Sequence, residues 1–177
     1  EFASWMIGGA RQQEKHPLTR DAITVLDQNS RQACDSLDGV VDSVINDPRL
    51  CTEERLELDK LVCRAGQTGN CLTPGQVETA RYMYADQFDA SGQLVSPGVL
   101  PGAEAAGDWE FWMLKNRLLG SESLIGGMAN TLALLMRHEP GFDVTNFDPN
   151  NDRPQLAPAM AVTDVQTADL TDFAANG

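Results

Sequence analysis

Basic residues are scarce in this chain, whose 177 residues include 13 Lys and Arg against 26 Asp and Glu, for a formal net charge of -13. Nucleic acids and anionic membranes bind proteins through basic surfaces, so neither is expected as a partner. No apolar run approaches the length of a membrane span. The composition, with 42% hydrophobic and 22% charged residues, is typical of one globular domain with its own core.

Catalytic motifs are also missing. No segment matches the G-x-S-x-G pattern of a nucleophilic serine, and no Gly-rich phosphate loop is present. The two histidines, His16 and His138, have no serine or cysteine partner that the sequence identifies. We therefore predict no catalytic residue in this chain taken alone.

The four cysteines lie in one part of the chain, at positions 34, 51, 63 and 71. They form no C-x-x-C pair and have no suitably placed histidine, which argues against a zinc site. Two local disulfides are the better interpretation, most economically Cys34–Cys51 and Cys63–Cys71. Disulfides indicate an oxidising compartment, so we expect a secreted or periplasmic protein.

Three aspartates follow the first cysteine within eight residues, at positions 35, 38 and 42. Carboxylates brought together in this way repel one another unless a cation lies between them. Oxygen ligands on an irregular loop suit calcium better than magnesium, although the spacing is not that of an EF-hand. The alternative is an Asp-rich turn whose carboxylates are simply solvated.

Small and apolar residues surround these aspartates. Gly39 permits a sharp turn beside the second aspartate. The side chains of Val40, Val44 and Ile45 are expected to point into the protein, which would turn backbone carbonyls toward an ion.

Helix signals occur at several places. Thr19 is a candidate N-cap for a helix that runs to about Cys34, and residues 53–61 form a candidate short helix. Thr73-Pro74-Gly75-Gln76 has the pattern of a capping box with proline at the first helical position. The apolar face of the helix that follows is predicted to consist of Val77, Ala80, Tyr84 and Phe88.

Turn residues dominate the segment from Asp89 to Gly107, where Gln93-Leu94-Val95 is a candidate arm of a short hairpin. Trp109 and Trp112 follow, three residues apart, and can share one helical face. Packing in the core is the default interpretation for both rings. The alternative is that they form the wall of a pocket that binds an aromatic group.

The remaining segments complete a single domain of residues 1–177. Residues 1–15 are predicted to be a connector in which Trp5, Met6 and Ile7 provide a small apolar anchor. Residues 16–88 hold the helices, the aspartate loop and the disulfides, 89–140 hold the loops and tryptophans, and 141–177 form a return connector with a helix near 168–174. A helix opened by Ser121 or Ser123 is predicted to carry one apolar stripe, namely Leu124, Ile125, Met128, Leu132, Leu135 and Met136. The predicted fold class is mainly α, with long loops and at most a small β-hairpin.

Three motifs in this chain closely resemble the tannase and feruloyl esterase family, which includes the hydrolase of mono(2-hydroxyethyl) terephthalate. The first is Cys34-Asp35-x-Leu37-Asp38-Gly39-Val40-x-Asp42-x-Val44-Ile45-x-Asp47-Pro48, with its 17-residue step to Cys51. The second is the 8-residue step from Cys63 to Cys71-Leu72-Thr73-Pro74-x-Gln76-Val77, and the third is the ending Asp169-Leu170-x-x-Phe173-x-x-x-Gly177.

The resemblance implies the architecture and the partner. Members of this family are secreted α/β-hydrolases that carry a large lid between the nucleophile part and the Asp and His parts of the catalytic triad. This chain resembles that lid without the hydrolase core. The implied partners are the catalytic domain of a longer parent enzyme and an aromatic ester substrate.

The resemblance also implies roles for individual residues. Calcium ligands would be the side chains of Asp35, Asp38 and Asp42 together with the backbone carbonyls of Val40 and Val44. The lid disulfides would again be Cys34–Cys51 and Cys63–Cys71. Trp109 and Trp112 are the candidates for contact with the aromatic acid of the substrate.

Two functions of different classes remain open from the sequence. The first is a calcium-stabilised lid domain that confers substrate binding and specificity on a serine esterase for hydroxycinnamoyl, galloyl or terephthaloyl-type esters. The second is a free-standing binding or interaction module without catalysis. A lid separated from its catalytic domain would expose its cleft-facing surface, which would favour self-association.

Overall fold

The computed structural model describes residues 2–114, 123–128, 151–152, 157–158, 161 and 169–175. Within these residues the chain is mainly helical with one two-stranded hairpin, which confirms the predicted fold class. None of the described helices is long and apolar enough to cross a membrane.

The first helix, α1, runs over Phe2–Lys15 where we predicted only a connector. Trp5, Met6 and Ile7 are buried in the core, which confirms the expected apolar anchor. Two adjacent glycines weaken the helix signal, yet one of them is required for packing. A Cβ atom at Gly8 would lie 1.7 Å from the hydroxyl oxygen of Tyr82, so only glycine permits this approach.

The second helix, α2, runs over Arg20–Cys34 and begins as predicted. The hydroxyl of Thr19 accepts a hydrogen bond from the backbone N–H of Ala22 at 3.2 Å, which satisfies one of the free amides of the first turn. The helix ends in a 3₁₀ turn, Asp35–Asp38, that leads directly into the aspartate loop.

The segment after Cys51 is helical but broken. Helix α3 runs over Glu53–Leu56 and a 3₁₀ turn over Leu58–Leu61, with Glu57 between them in the left-handed region at φ 44°. The break lets Leu56 and Leu58 both reach the core.

Helix α4 runs over Pro74–Tyr84 and has the predicted capping box. The backbone N–H of Gln76 donates to the Thr73 hydroxyl at 3.2 Å, and the Thr73 N–H donates back to the Gln76 side chain at 2.9 Å. The helix ends at Tyr84, so the prediction that Phe88 continues its apolar face is wrong. Phe88 instead lies in a strand and is 59% exposed.

A small hairpin follows α4, as predicted. Strand β1, Gln87–Phe88, pairs antiparallel with β2, Leu94–Ser96, and Phe88 lies opposite Leu94. The chain then returns to the end of α4, where the Val99 N–H donates to the Met83 carbonyl at 2.8 Å. A Cβ at Gly98 would lie 1.9 Å from the Tyr84 carbonyl oxygen, so the two backbones are in direct contact.

The tryptophan segment forms a π-helical turn, Glu104–Asp108, followed by helix α5, Trp109–Met113. Near the end of the turn, Gly107 has a non-helical φ of 110° that bends the chain before α5 begins. Further along, residues 124–128 are helical and the Ser123 hydroxyl accepts from the Gly126 N–H at 3.2 Å, so Ser123 opens that helix. The rest of the predicted stripe, at Leu132, Leu135 and Met136, lies outside the described residues, as does His138. A short helix, Thr171–Ala175, is found where one was expected.

One core joins these elements, because α1 packs against α4 and β2 while α2 packs against α3, α5 and the π-helical turn. Its fully buried large side chains are Met6, Ile7, Leu18, Ile23, Leu26, Leu56, Leu58, Leu72, Met83, Met113 and Ile125. The aspartate loop and the tryptophan segment both border α2, one at its end and the other along its side.

Candidate functional site

Both predicted disulfides are present. Cys34–Cys51 closes the aspartate loop, and its two cysteines are buried in the core. Cys63–Cys71 closes a short excursion whose two ends are also bridged by backbone hydrogen bonds, from the Cys63 N–H to the Leu72 carbonyl and from the Leu72 N–H to the Leu61 carbonyl. The aspartate loop is therefore fixed to the core at both ends.

Asp35 organises the aspartate loop from within. Its side chain is buried, and its two carboxylate oxygens accept from the backbone N–H groups of Asp42 at 3.3 Å and Ser43 at 3.1 Å. Ser43 has a positive φ of 68°, which bends the chain back toward this carboxylate. One aspartate thus replaces the backbone partners that an irregular loop lacks.

Asp38 and Asp42 are exposed and serve the loop more locally. The Asp38 carboxylate accepts from the Val40 N–H at 2.8 Å and from the side-chain amide of Asn46. Asp42 accepts from the Val44 N–H at 3.0 Å. Each carboxylate accepts a hydrogen bond from the backbone N–H two residues further on. Aspartate forms such turns in loops that bind no metal.

The predicted burial of the loop's apolar side chains is wrong for two of the three residues. Val40 and Val44 are each 52% exposed, and only Ile45 packs against the core. The reason is that the loop turns Asp35 inward, because its carboxylate binds loop amides, and this leaves the valines outside. Ile45 is held by Gly102, since its Cδ1 lies 3.0 Å from the position that a Cβ of this glycine would take.

The donor chemistry of this loop suits calcium, since it offers carboxylate and carbonyl oxygens on an irregular backbone. The positions of these side chains, however, do not form a complete set of metal ligands. Across the described ranges, no three acidic, cysteine or histidine side chains lie close enough together to hold one metal ion. The exposed side chains of Asp38 and Asp42 would have to turn toward Asp35 to share an ion.

Arg31 connects the aspartate loop to α2. Its guanidinium binds both carboxylate oxygens of Asp27 at 3.0 Å and donates to the Ser43 carbonyl at 3.0 Å. The hydrogen bonds to Asp27, and then the charge of Asp27, raise the pKa of Arg31 above its ordinary value. Asp27 also accepts from the Ala105 N–H at 3.3 Å, so this ion pair lies between the loop and the tryptophan segment.

The two tryptophans share α5 but differ in environment. Trp109 is only 4% exposed and its ring centroid lies 5.2 Å from that of Tyr84. Trp112 is half-buried, packs against the edge of the core and contacts the exposed ring of Phe111 edge-on at 6.2 Å. The helical placement is as expected, and contact of either tryptophan with a substrate stays a prediction.

Glu104 is a residue of this region that the sequence analysis missed. It is completely buried, and its carboxylate binds Ser30, Tyr84 and the backbone of Gly102. Burial raises the pKa of Tyr84 well above its ordinary value, and the negative charge of Glu104 raises it further. The only sequence signal is a glutamate in an Ala- and Gly-rich stretch that lacks a basic neighbour.

Two solved structures, a feruloyl esterase and an esterase, contain a part with the same fold. The crystal structure of feruloyl esterase B from Aspergillus oryzae matches 99% of this chain with a TM-score of 0.73 and 24% sequence identity. A crystal structure of an esterase from the same organism matches 99% of the chain with a TM-score of 0.69 and 23% identity. The chain therefore has the fold of one part of these two structures.

Sequence comparison agrees and gives the family. The model of the family "Tannase and feruloyl esterase" matches residues 3–177, so this chain belongs to the tannase and feruloyl esterase family. A probable feruloyl esterase B-2 from Aspergillus flavus is 39% identical over 71 residues, 40% of this chain and 13% of that protein. Feruloyl esterase C from Talaromyces stipitatus is 36% identical over 88 residues, 49% of this chain and 16% of that protein.

This chain corresponds to only part of its relatives. It covers 35% of the feruloyl esterase B structure, although nearly all of its own length is matched. Most of the related esterase therefore has no counterpart in these 177 residues.

Proposed function

We propose that this chain is the lid domain of a secreted serine esterase, where it binds the aromatic part of the substrate and sets specificity. The observation that supports this most strongly is that almost the whole chain matches about one third of a feruloyl esterase. A catalytic α/β-hydrolase domain would supply the nucleophilic serine and cleave hydroxycinnamoyl, galloyl or terephthaloyl-type esters. The lid would cover the cleft, exclude water and present Trp112 and its neighbours to the acyl group.

Secretion is part of the same proposal. Its support is the pair of disulfides, which persist in oxidising compartments such as the cell exterior or the periplasm.

A segment exchange tests the lid function. The matched third of feruloyl esterase B from Aspergillus oryzae is replaced by this chain in one protein and by a short Gly-Ser linker in another. We expect the chain to restore a preference for a hydroxycinnamoyl methyl ester over a short aliphatic ester by on the order of tenfold or more relative to the linker version. The measurement is kcat/KM for both esters, with circular dichroism to confirm folding.

The isolated chain is the control for this exchange. Hydrolysis by the isolated chain would contradict the assignment to a lid, as would a folded exchange protein that discriminates no better than the linker version. Binding of the free aromatic acid by the isolated chain, with no effect in the exchange protein, would favour the free-standing binding module instead.

We also propose that the aspartate loop binds a structural calcium ion through Asp35, Asp38 and Asp42, with the carbonyls of Val40 and Val44. Support comes from three carboxylates on one disulfide-closed loop in a chain of net charge -13, where a bound cation would relieve repulsion. Two of the three carboxylates are exposed and bound only to nearby loop groups, so they are free to turn toward an ion.

Thermal unfolding with calcium or with excess chelator tests this site. A ligand bound only by the folded state at one hundred times its Kd adds about 2.7 kcal/mol, which is roughly 5 to 10 °C in Tm for a domain of this size. Asp38→Asn is expected to abolish the calcium-dependent shift. The exposed Asp59, outside the loop, provides the control Asp59→Asn, which should retain it. An identical Tm with calcium and with chelator in the disulfide-intact protein would refute the proposed site.

A further inference from the structure

The buried carboxylate of Glu104 holds the chain that leads into α5. Oε1 of Glu104 accepts from the hydroxyls of Ser30 and Tyr84, both at 2.6 Å, and Oε2 accepts from the Gly102 N–H at 3.0 Å. These three donors belong to α2, to α4 and to the backbone just before the π-helical turn. Glu104, which is 0% exposed, therefore joins three parts of the fold at one point.

A carboxylate is an expensive group to bury in this place. Removal from water strongly disfavours a charged group unless a partner compensates for the lost hydration. Arg31 contributes its charge, but its guanidinium is hydrogen-bonded to Asp27. Glu104 is thus held by three neutral donors, an arrangement that fixes geometry better than it adds stability.

The geometry that Glu104 fixes is the approach to the tryptophans. The π-helical turn begins at Glu104 itself, and the next residue, Ala105, donates its N–H to Asp27 of α2 at 3.3 Å. Tyr84, which donates its hydroxyl to Glu104, also stacks at an angle against Trp109. The carboxylate therefore acts on the start of α5 through the π-helical turn and on the Trp109 ring through Tyr84.

We propose that Glu104 is a positioning residue that sets the place of α5, and with it Trp109 and Trp112, against α2 and α4. In the parent esterase this placement would determine the shape of the aromatic wall and therefore the affinity for the aromatic acyl group. That consequence rests on the proposed lid function, whereas the positioning of α5 is a property of this chain alone.

The first experiment uses the full chain and the near-ultraviolet circular dichroism of its tryptophans. Glu104→Gln is expected to reduce the tryptophan bands while the far-ultraviolet spectrum stays unchanged, because an amide cannot accept from all three donors. Ser30→Ala, which removes one donor and no chromophore, should cause a smaller loss in the same direction. Glu54→Gln is the matched control, since Glu54 is exposed and lies outside this network.

The second experiment uses the exchange esterase described above. Glu104→Gln is expected to raise KM for the hydroxycinnamoyl ester on the order of tenfold, with kcat unchanged, at a temperature where the protein is fully folded. A residue that only adds stability would leave KM unchanged under these conditions. Ser30→Ala should give an intermediate KM.

The outcomes separate the two proposals. Unchanged tryptophan bands in folded Glu104→Gln or Ser30→Ala chains would overturn the positioning role, whatever the esterase does. Changed bands with an unchanged KM, in an exchange esterase that does discriminate, would overturn the effect on specificity. An exchange esterase without discrimination would refute the lid function, and the spectra of the isolated chain would still decide the role of Glu104.

Discussion

Replacing both Cys34 and Cys51 by alanine is expected to lower the free energy of unfolding by about 3 kcal/mol, on the chain-entropy estimate for a loop of this length. The bond closes a separation of 17 residues, so its loss returns considerable freedom to the unfolded chain. In the folded state it also fixes the end of α2 to the start of α3. Urea unfolding of the double variant and of the parent chain measures the difference.

The second disulfide provides the matched comparison. Cys63–Cys71 closes a separation of only 8 residues, for which the same estimate gives about 2.5 kcal/mol. Its cysteines are half-buried rather than part of the closed core, and backbone hydrogen bonds already join the two ends of its loop. We expect the Cys63→Ala, Cys71→Ala variant to lose less stability. A larger loss than for the first pair would show that the aspartate loop is not the critical connection.

Elements with local signals were predicted well from the sequence. The capping box at Thr73 and Gln76 and the cap at Thr19 involve atoms three residues apart, so their chemistry is visible in the sequence. The disulfides could be paired because local pairing of the four clustered cysteines closes two short loops, of 17 and 8 residues. The hairpin followed from turn residues on both sides of a short apolar run.

Features set by distant contacts could not be predicted. Helix α1 contains two glycines, and the reason for one of them is the ring of Tyr82, more than seventy positions away. The Glu104 carboxylate meets Ser30 across 74 positions of sequence, and no local pattern reports that contact. The exposure of Val40 and Val44 follows from the inward turn of Asp35, which itself depends on the fold of the loop.

The candidate site was predicted in parts whose connection the sequence does not reveal. The aspartates and tryptophans both stood out by composition and spacing. Their common link, from Ser43 through Arg31 and Asp27 to Ala105, becomes visible only in three dimensions. Calcium binding and substrate contact both remain proposals that concern the two ends of this link.

A second large loss of folding stability is expected at alkaline pH. It comes from the two tyrosines, the only ones in the chain. Burial raises the pKa of Tyr82 to about 12, with a smaller opposing effect from Arg11. Burial and the charge of Glu104 raise the pKa of Tyr84 well above 10.0. The fold therefore favours the neutral phenol of both residues, and neither should ionise in the folded chain where an exposed tyrosine would.

The sign of the stability change follows from this difference. Below pH 10 both states keep their phenols protonated, so the two groups cause no change of stability with pH there. As pH rises through 10 the unfolded chain ionises first, and the folded state loses stability until the folded pKa is reached. The shift of Tyr82 alone corresponds to about 3 kcal/mol, and Tyr84 adds to it.

Ultraviolet absorbance of tyrosinate, recorded with far-ultraviolet circular dichroism, measures this effect. We expect little tyrosinate until the chain unfolds, so that ionisation and loss of helix occur together above pH 10, whereas the chain in denaturant titrates near 10. Tyr82→Phe should delay alkaline unfolding, because it removes one of the two phenols whose ionisation drives it, and the Tyr82 hydroxyl makes only a long bond of 3.4 Å to the Trp5 carbonyl. Reversible ionisation near pH 10 with the helices intact would contradict the burial of both rings, and with it the contact between Tyr84 and Glu104 on which the placement of α5 depends.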